Sequence, residues 1–418
     1  MIANLTTPLI GIISTTAIGR LGEAALLGGV AMASVMFDCM FWLFAFLRMG
    51  TVAFTAQSLG AGETDELRAH FARGLVVAAI IGTGLILLQV PIADVALDAM
   101  GGSAAVTAAA KTYFMIRIWS APLALGNYVV LGWLVGQARA RLALAVQIAI
   151  NLVNMAATIA LVLGWRAGIA GAALATVLAE ASGLAIGLII AGRLAGGSLV
   201  IPRAALLDRT ALMRMLSVNR DIMIRTAALI AAFLFFTAQG ARAGDVTLAA
   251  NSVLNNLLLA SAFFLDGLAN AAEQLCGQTL GARDRAGFAA ATRLVLAWGF
   301  GFALAVAACL ALFGPELIDV MSASDDVRIT ARNYLVLVVF SPLLSVFAFA
   351  FDGIYIGATW ARDMRNLMLL SLLIFLTAWL ALRSFGNAGL WSALLVHYAA
   401  RGGLEALRYP AMLKASFR

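Results

Sequence analysis

The chain has 418 residues, 63% of them hydrophobic and only 12% charged, with a net charge of +7 and a mean hydropathy of +0.98. Soluble domains run at about 45–50% apolar and about 25% charged residues, so this composition excludes one and requires a polytopic membrane protein. The basic excess lies in short loops between apolar runs, which makes it a guide to topology and not a nucleic-acid surface. Cys39, Cys276 and Cys309 fall inside apolar segments and read as free thiols. His70 and His397 are too far apart in sequence to suggest a metal site, and none is expected.

Apolar runs between charged or Gly-rich punctuation predict twelve helices. In the first half they lie near 2–19, 24–59, 68–99, 104–137, 141–163 and 168–196. The second half holds 211–240, 246–280, 287–319, 326–359, 364–384 and 387–411. Several exceed the roughly 20 residues a bilayer needs, so tilts and bends are expected at Pro122, Pro342 and Gly353. The most polar connection, with Arg193, Pro202, Arg203 and Arg209, separates an amino-terminal six-helix lobe (1–196) and a linker (197–210) from a carboxyl-terminal lobe (211–418).

The two halves repeat at a constant offset of 221 residues. Thr16, Ala17 and Gly19 match Thr237, Ala238 and Gly240, and Gln57, Leu59, Gly60 and Ala61 match Gln278, Leu280, Gly281 and Ala282. Tyr113, Ser120, Gly132, Gly136 and Arg141 match Tyr334, Ser341, Gly353, Gly357 and Arg362. Identities at one fixed offset mark a duplication, and six helices per copy give two parallel repeats. The first predicted helix is shorter than its twin, which leads us to expect either an upstream start or an unusually short helix. Basic residues from Arg68, Arg73, Arg139 and Arg141 through to Arg408, Lys414 and Arg418 occupy alternate loops and the tail. Only Arg20, Arg166, Arg242, Arg328 and Arg383 occupy the other loops, so both termini are expected in the cytoplasm.

Charges inside the apolar runs are the candidate functional residues. Asp266 and Glu273 are seven apart on one helical face, with Asn270 between them and Asn255 eleven residues before Asp266. A carboxylate at bilayer depth costs about 2.5–3.5 kcal/mol, which a proton, a bound cation or a basic partner must offset. Arg225, in the preceding helix, is the candidate partner, either as a fixed structural pair or as part of a switch. Asp352 is a third intramembrane carboxylate, and Asp38 is the one acid well inside the first two helices. Asp38 is expected to bind a cationic solute or to stand in for an acid missing from the first helix, or else to face the cytoplasm or pair with Arg48. Lys111 and Arg117 place positive charge in the fourth predicted helix; Arg332 matches Lys111 in the repeat, and Glu180 is expected to pair with Lys111 or Arg166. Met36, Met40, Phe41, Trp42, Phe46 and Phe263 are candidate cavity residues, since flexible Met and flat aromatic faces suit hydrophobic cations.

The segments PLIGIISTTAIGRLG, FLRMGTVAFTAQSLGAG, LGWLVGQARAR, NLVN, GAALATVLAE, FFTAQGARAGDVTLAAN, FLDGLANAAEQLCGQTLGARDR and FDGIYIGATWARDMRN carry a resemblance over almost the whole chain. They resemble multidrug and toxic compound extrusion (MATE) transporters, closest to the DNA-damage-inducible F (DinF)-like branch. The resemblance implies two six-helix lobes forming a V-shaped cavity, in a bacterial inner-membrane protein expected to act as a monomer. It further implies secondary active efflux of small amphipathic, often cationic organic compounds, exchanged for protons or sodium ions. No cofactor or nucleic-acid partner is implied beyond that coupling ion, and no nucleotide-binding or protease motif argues for an enzyme. Carboxylates on the seventh, eighth and tenth helices couple transport in other branches, which points to Asp266, Glu273 and Asp352.

Where relatives carry an aspartate in the first helix, this chain has Ser14, and where they carry an acid after NLVN it has Thr158. Asn151 and Asn154 remain in a degenerate amino-lobe site. A hydroxyl cannot exchange a proton near neutral pH, so coupling is expected in the carboxyl lobe. Two alternatives stay open. One is a transporter of lipids or lipid-linked sugars, for which Lys111, Arg117 and Arg225 would bind phosphate; the other is a family member that has lost coupling.

Overall fold

A computed structural model of the chain describes residues 16–19, 23–196 and 203–417, in two compact units that divide between Arg214 and Met215, with Gly60–Gly62 grouped with the second. The described residues are helical throughout, with no strand among them. Ten of their helical runs are long and apolar enough to cross a membrane. The longest, Ala361–Ser416, is divided at Arg383–Phe385, before Gly386 at φ +59°, into helices of 22 and 31 residues. The first predicted helix, 2–19, lies outside the described residues except for a helical turn at 16–19.

The amino unit is built from broken helices. Helices α1 (Ala24–Leu43) and α2 (Phe46–Ala61) share one predicted run, as do α3 (Thr64–Leu87) and α4 (Gln89–Met100). Helices α5 (Ala104–Arg117) and α6 (Ala121–Gly136) are separated by a 3₁₀ turn at Ile118–Ser120, with Pro122 in the first turn of α6, where its missing N–H is not needed. Helix α7 (Ala140–Thr158) ends in a π-helical segment, Ile159–Gly164, before α8 (Gly168–Leu194). The short α9 (Arg203–Leu206) is tied to α3: the buried Arg73 guanidinium donates to Ala205 O and holds Glu66 Oε1 at 2.6 Å. The polar connection is thus pinned by a side chain belonging to a membrane helix.

The carboxyl unit has longer, continuous helices. They are α10 (Arg209–Arg242), α11 (Asp245–Gly281), α12 (Arg285–Met321), α13 (Asp325–Gly357), α14 (Ala361–Leu382) and α15 (Gly386–Ser416). Asp208 caps the start of α10, accepting from Thr210 N at 2.8 Å, and Asp284 caps α12, accepting from Gly287 N at 2.8 Å. Phe236, Trp391 and Tyr398 anchor the core, and Asn251 accepts from Trp391 Nε1 at 2.8 Å, which satisfies the indole that burial would otherwise strand.

The duplication is visible in atomic register. A Cβ on Gly132 would meet Arg48 O at 2.6 Å, and one on Gly136 would meet Val52 O at 2.8 Å. At the same offset, Gly353 meets Ala269 O and Gly357 meets Glu273 O, each at 2.4 Å. In both units a Gly-x-x-x-Gly stripe therefore lets one helix lie directly on the backbone of another, the geometry of small-residue packing in membranes. A second repeated feature is ionic: Lys111 pairs with Asp94 at 2.6 Å and Arg332 with Asp319 at 2.6 Å. This repeated pair gives Lys111 a structural role, and Glu180, expected beside Lys111 or Arg166, bonds elsewhere, as described below.

Gly353→Val is expected to lower stability by about 1–3 kcal/mol, because the added methyls must push α13 off α11. Gly301→Ala, with nothing within 4 Å of its added Cβ, should be neutral or slightly stabilising. Thermal unfolding of the two purified variants in one detergent checks the contrast.

Candidate functional site

The two glycine contacts on α13 decide where its charges lie. With Gly353 against Ala269 and Gly357 against Glu273, Asp352 is drawn into the unit beside α11 and is 4% exposed. A third close approach brings in α15, since Gly402 sits where a Cβ would meet Phe347 Cβ at 2.7 Å and Ala348 N at 2.8 Å. That contact delivers the adjacent Arg401 to Asp352. Arg225, near the middle of α10, reaches the same carboxylate, and both guanidiniums pair through Nη2 with Asp352 Oδ2.

Around this triad the polar groups are buried and incompletely matched. Glu405 has no exposure and Glu273 is 2% exposed. Both carboxylate oxygens of Glu405 lack a hydrogen-bond partner, as do Asp352 Oδ1 and the Nε atoms of Arg225 and Arg401. Glu405 lies in the field of Arg401 and Arg225, and Asp266 and Glu273 lie in the field of Arg225. Tyr355 donates its hydroxyl to Glu405 O at 2.8 Å, and the His397 ring meets Ser371 O at 3.1 Å through Nδ1. Two guanidiniums thus face three fully buried carboxyls, Asp352, Glu405 and Glu273, deep in an apolar unit.

Of the sequence candidates, Arg225, Asp352 and Glu273 are buried together in this cluster, and Asp266 also lies in the field of Arg225. Asp266 is half-buried about two turns before Glu273 on α11, where Asn270 Nδ2 donates to Asp266 O at 2.8 Å, and Asn255 is half-buried further toward the start of that helix. Sequence reading missed Arg401 and Glu405. Their signal was present: His397, Arg401 and Glu405 recur every fourth residue in the final helix, so they share one face.

The amino unit holds a weaker polar set. Asn151, Asn154 and Thr158 are buried along α7, where Gln147 Nε2 donates to Asn151 Oδ1 at 3.1 Å and Asn154 Nδ2 to Thr176 Oγ1 at 3.3 Å. Ser14 lies outside the described residues. Asp38 is exposed and lies in the field of Arg117, whose guanidinium stacks 4.4 Å from the Phe37 ring centre. Glu180 accepts from Asn127 Nδ2 at 2.7 Å, in place of the Lys111 or Arg166 partner expected from the sequence. Among the aromatic and Met candidates, Met36 and Phe46 are buried, Met40 and Phe41 half-buried, and Trp42 and Phe263 exposed. No group of three or more metal-ligating residues occurs among the described residues.

Comparison with known proteins places this architecture. The MatE family model matches residues 1–159 and 222–379, one match in each repeat. The chain is 38% identical over 403 residues to DNA damage-inducible protein F of Escherichia coli (strain K12), covering 96% of this chain and 87% of that protein. It is 22% identical over 413 residues to the chloroplastic protein DETOXIFICATION 44 of Arabidopsis thaliana, covering 96% and 78%. In structure it superposes with a TM-score of 0.88 on a MOP superfamily transporter from Pyrococcus furiosus, at 19% identity and covering 100% and 94% of the two chains. It also superposes at 0.87 on an outward-facing multidrug resistance MATE family transporter, again at 19% identity with 100% and 94% coverage. A duplicated all-helical membrane scaffold, matched by the family in both copies and along nearly its whole length by a DinF relative, belongs to the MATE family of multi-pass membrane transporters, which are not enzymes.

Proposed function

We propose that this transporter exports small amphipathic, often cationic organic compounds by alternating access, in exchange for protons or sodium ions taken up in its carboxyl half. The observation that carries this reading is the buried carboxyl cluster of Asp352, Glu273 and Glu405 around Arg225 and Arg401. Charge at this depth is rare, faces the bundle interior, and marks ion or proton pathways. A carboxyl that gains and loses a cation changes the local charge by one unit, and that change can bias two conformations of the surrounding helices.

The amino half supports the same assignment by what it offers instead: Asn151, Asn154 and Thr158 are buried amides and a hydroxyl, none of which titrates near neutral pH. In contrast, the lipid-type reading needs free cations for phosphate. Lys111 is paired with Asp94 and Arg225 with Asp352, and Arg117 is stacked on an aromatic ring, which favours the organic-cation reading. The alternation of its basic loops supports both termini in the cytoplasm, and the family resemblance supports a monomer in the bacterial inner membrane.

Within the cluster the roles divide. Asp352 serves two guanidiniums at once, and removing one member of a buried ion network costs about 3–5 kcal/mol. Asp352→Asn is therefore expected to lower the melting temperature of the purified protein markedly, whereas Asp266→Asn should leave it close to wild type. Ethidium movement in inverted vesicles, under separately imposed proton and sodium gradients, tests exchange itself. Wild type should respond to one gradient, and Glu273→Gln should lose roughly tenfold or more of that response; a wild type indifferent to both gradients would remove the exchange reading. A reporter enzyme fused after Arg418 should be active only when retained in the cytoplasm, and activity in the periplasm would reverse the topology.

A further inference from the structure

Glu405 is the buried acid for which neither the sequence candidates nor the ion pairs account. It stands one helical turn after Arg401 on α15, close enough for the two side chains to meet, since residues four apart have Cβ atoms about 5–6 Å from each other. Yet the Arg401 head is paired with Asp352, and both Glu405 oxygens are left without a hydrogen-bond partner although the residue has no exposure and lies in the field of Arg401. An ionised carboxylate in that setting has lost its water and received no hydrogen bond in exchange. A neutral carboxylic acid has far less to lose.

We propose that Glu405 is a proton-binding site, protonated in this conformation, and that losing the proton draws Arg401 from Asp352 to Glu405. This inference rests on the exchange reading above and names the carboxyl that carries the ion. In the step, a hydronium ion in water reaching the cluster gives up a proton, one of its O–H bonds breaks, and a new O–H bond forms on a Glu405 oxygen. The reverse leaves Glu405 anionic and beside a guanidinium whose Nε–H has no acceptor here. Asp352 keeps Arg225 in both states, so it is never left as an isolated anion. The charge that moves is Arg401, and because it lies on α15 while Asp352 lies on α13, its transfer alters how firmly those two helices are held together.

The surroundings favour a proton over a metal cation. Glu405 lies in the field of Arg401 on its own helix and of Arg225 on α10, with the Tyr355 hydroxyl of α13 on its backbone oxygen; Asp352 on α13 pairs with both guanidiniums, and Asp266 and Glu273 on α11 lie in the field of Arg225. Asp363 on α14 is already held by Arg408 at 2.8 Å. Guanidiniums offer donors only and cannot ligate a cation, and the Tyr355 hydroxyl donates to the backbone oxygen of Glu405. A sodium ion needs a shell of oxygens, whereas a proton needs one.

The test uses the purified full-length protein in liposomes, with two readouts on wild type, Glu405→Gln and Glu273→Gln. In infrared difference spectra recorded across a pH jump, wild type and Glu273→Gln should show the carbonyl stretch of a protonated carboxyl disappearing as pH rises, and Glu405→Gln should lack that band. In proton-gradient-driven ethidium transport, Glu405→Gln should fall roughly tenfold or more. Either of two results overturns the proposal: a pH-sensitive band that persists in Glu405→Gln, or a wild type with no such band. A band displaced by sodium at constant pH overturns the proton assignment as well. If the Glu405 band is present while wild type transports under neither gradient, the site stands and the exchange reading falls.

Discussion

The structure depends on helices approaching to backbone contact. Gly353 on Ala269, Gly357 on Glu273 and Gly402 on Phe347 and Ala348 bring α11, α13 and α15 of the carboxyl unit closer than any side chain would permit. At that distance, dispersion and backbone packing replace the hydrophobic drive that lipid cannot supply. The same closeness removes water from whatever charges lie beside the glycines. Asp352 is next to Gly353, Arg401 is next to Gly402, and the backbone oxygen of Glu273 is the atom that Gly357 meets. The contacts that build the unit are therefore the contacts that dry its charged cluster, and the electrostatics of that cluster cannot be separated from the packing.

The duplication shows how far such a scaffold can diverge. Both halves keep the Gly-x-x-x-Gly stripe in register, and both keep an ion pair between Lys111 or Arg332 and an aspartate in the preceding helix. The helices themselves differ. The amino half is interrupted between Leu43 and Phe46, at Leu88, at Ile118–Ser120 and by the π segment after Thr158, whereas the carboxyl half runs through in helices of up to 37 residues. Interrupted helices free backbone groups and bend readily, and π segments recur at functional positions. The half without buried carboxyl pairs is also the half with the breaks, whereas the half with the charged cluster keeps its helices continuous even with Pro315, Pro342 and Pro410 inside them.

The amino half also shows a polar arrangement that holds without charge. Asn151 and Asn154 are engaged by Gln147 and Thr176 along α7 and α8, a chain of amides and hydroxyls that satisfies itself inside the unit. Glu180 is met by the Asn127 amide, not by a cation. Arg117, the deep cation of this half, is supported by the Phe37 and Tyr113 rings. Neutral partners and aromatic faces hold these groups in place where the carboxyl half uses opposite charges.

Much of this was legible in the amino-acid sequence. Apolar run lengths and identities at one offset are local or linear properties, and a bilayer converts them directly into helices and repeat, because lipid leaves the backbone no alternative to helix. The acids of α11 and α13 were legible for the same reason, since charge in an apolar run stands out by itself. Which charges meet was not: Asp352 could have faced Asp266, Glu273 or Arg225 on sequence spacing alone. Arg401 and Glu405 went unnoticed among the glycines and alanines of a final helix that reads as packing. Only the tertiary structure placed both guanidiniums on Asp352 and left Glu405 without a partner, because pairing between helices far apart in the chain follows from the depth and rotation at which their glycines seat, and no linear pattern records either.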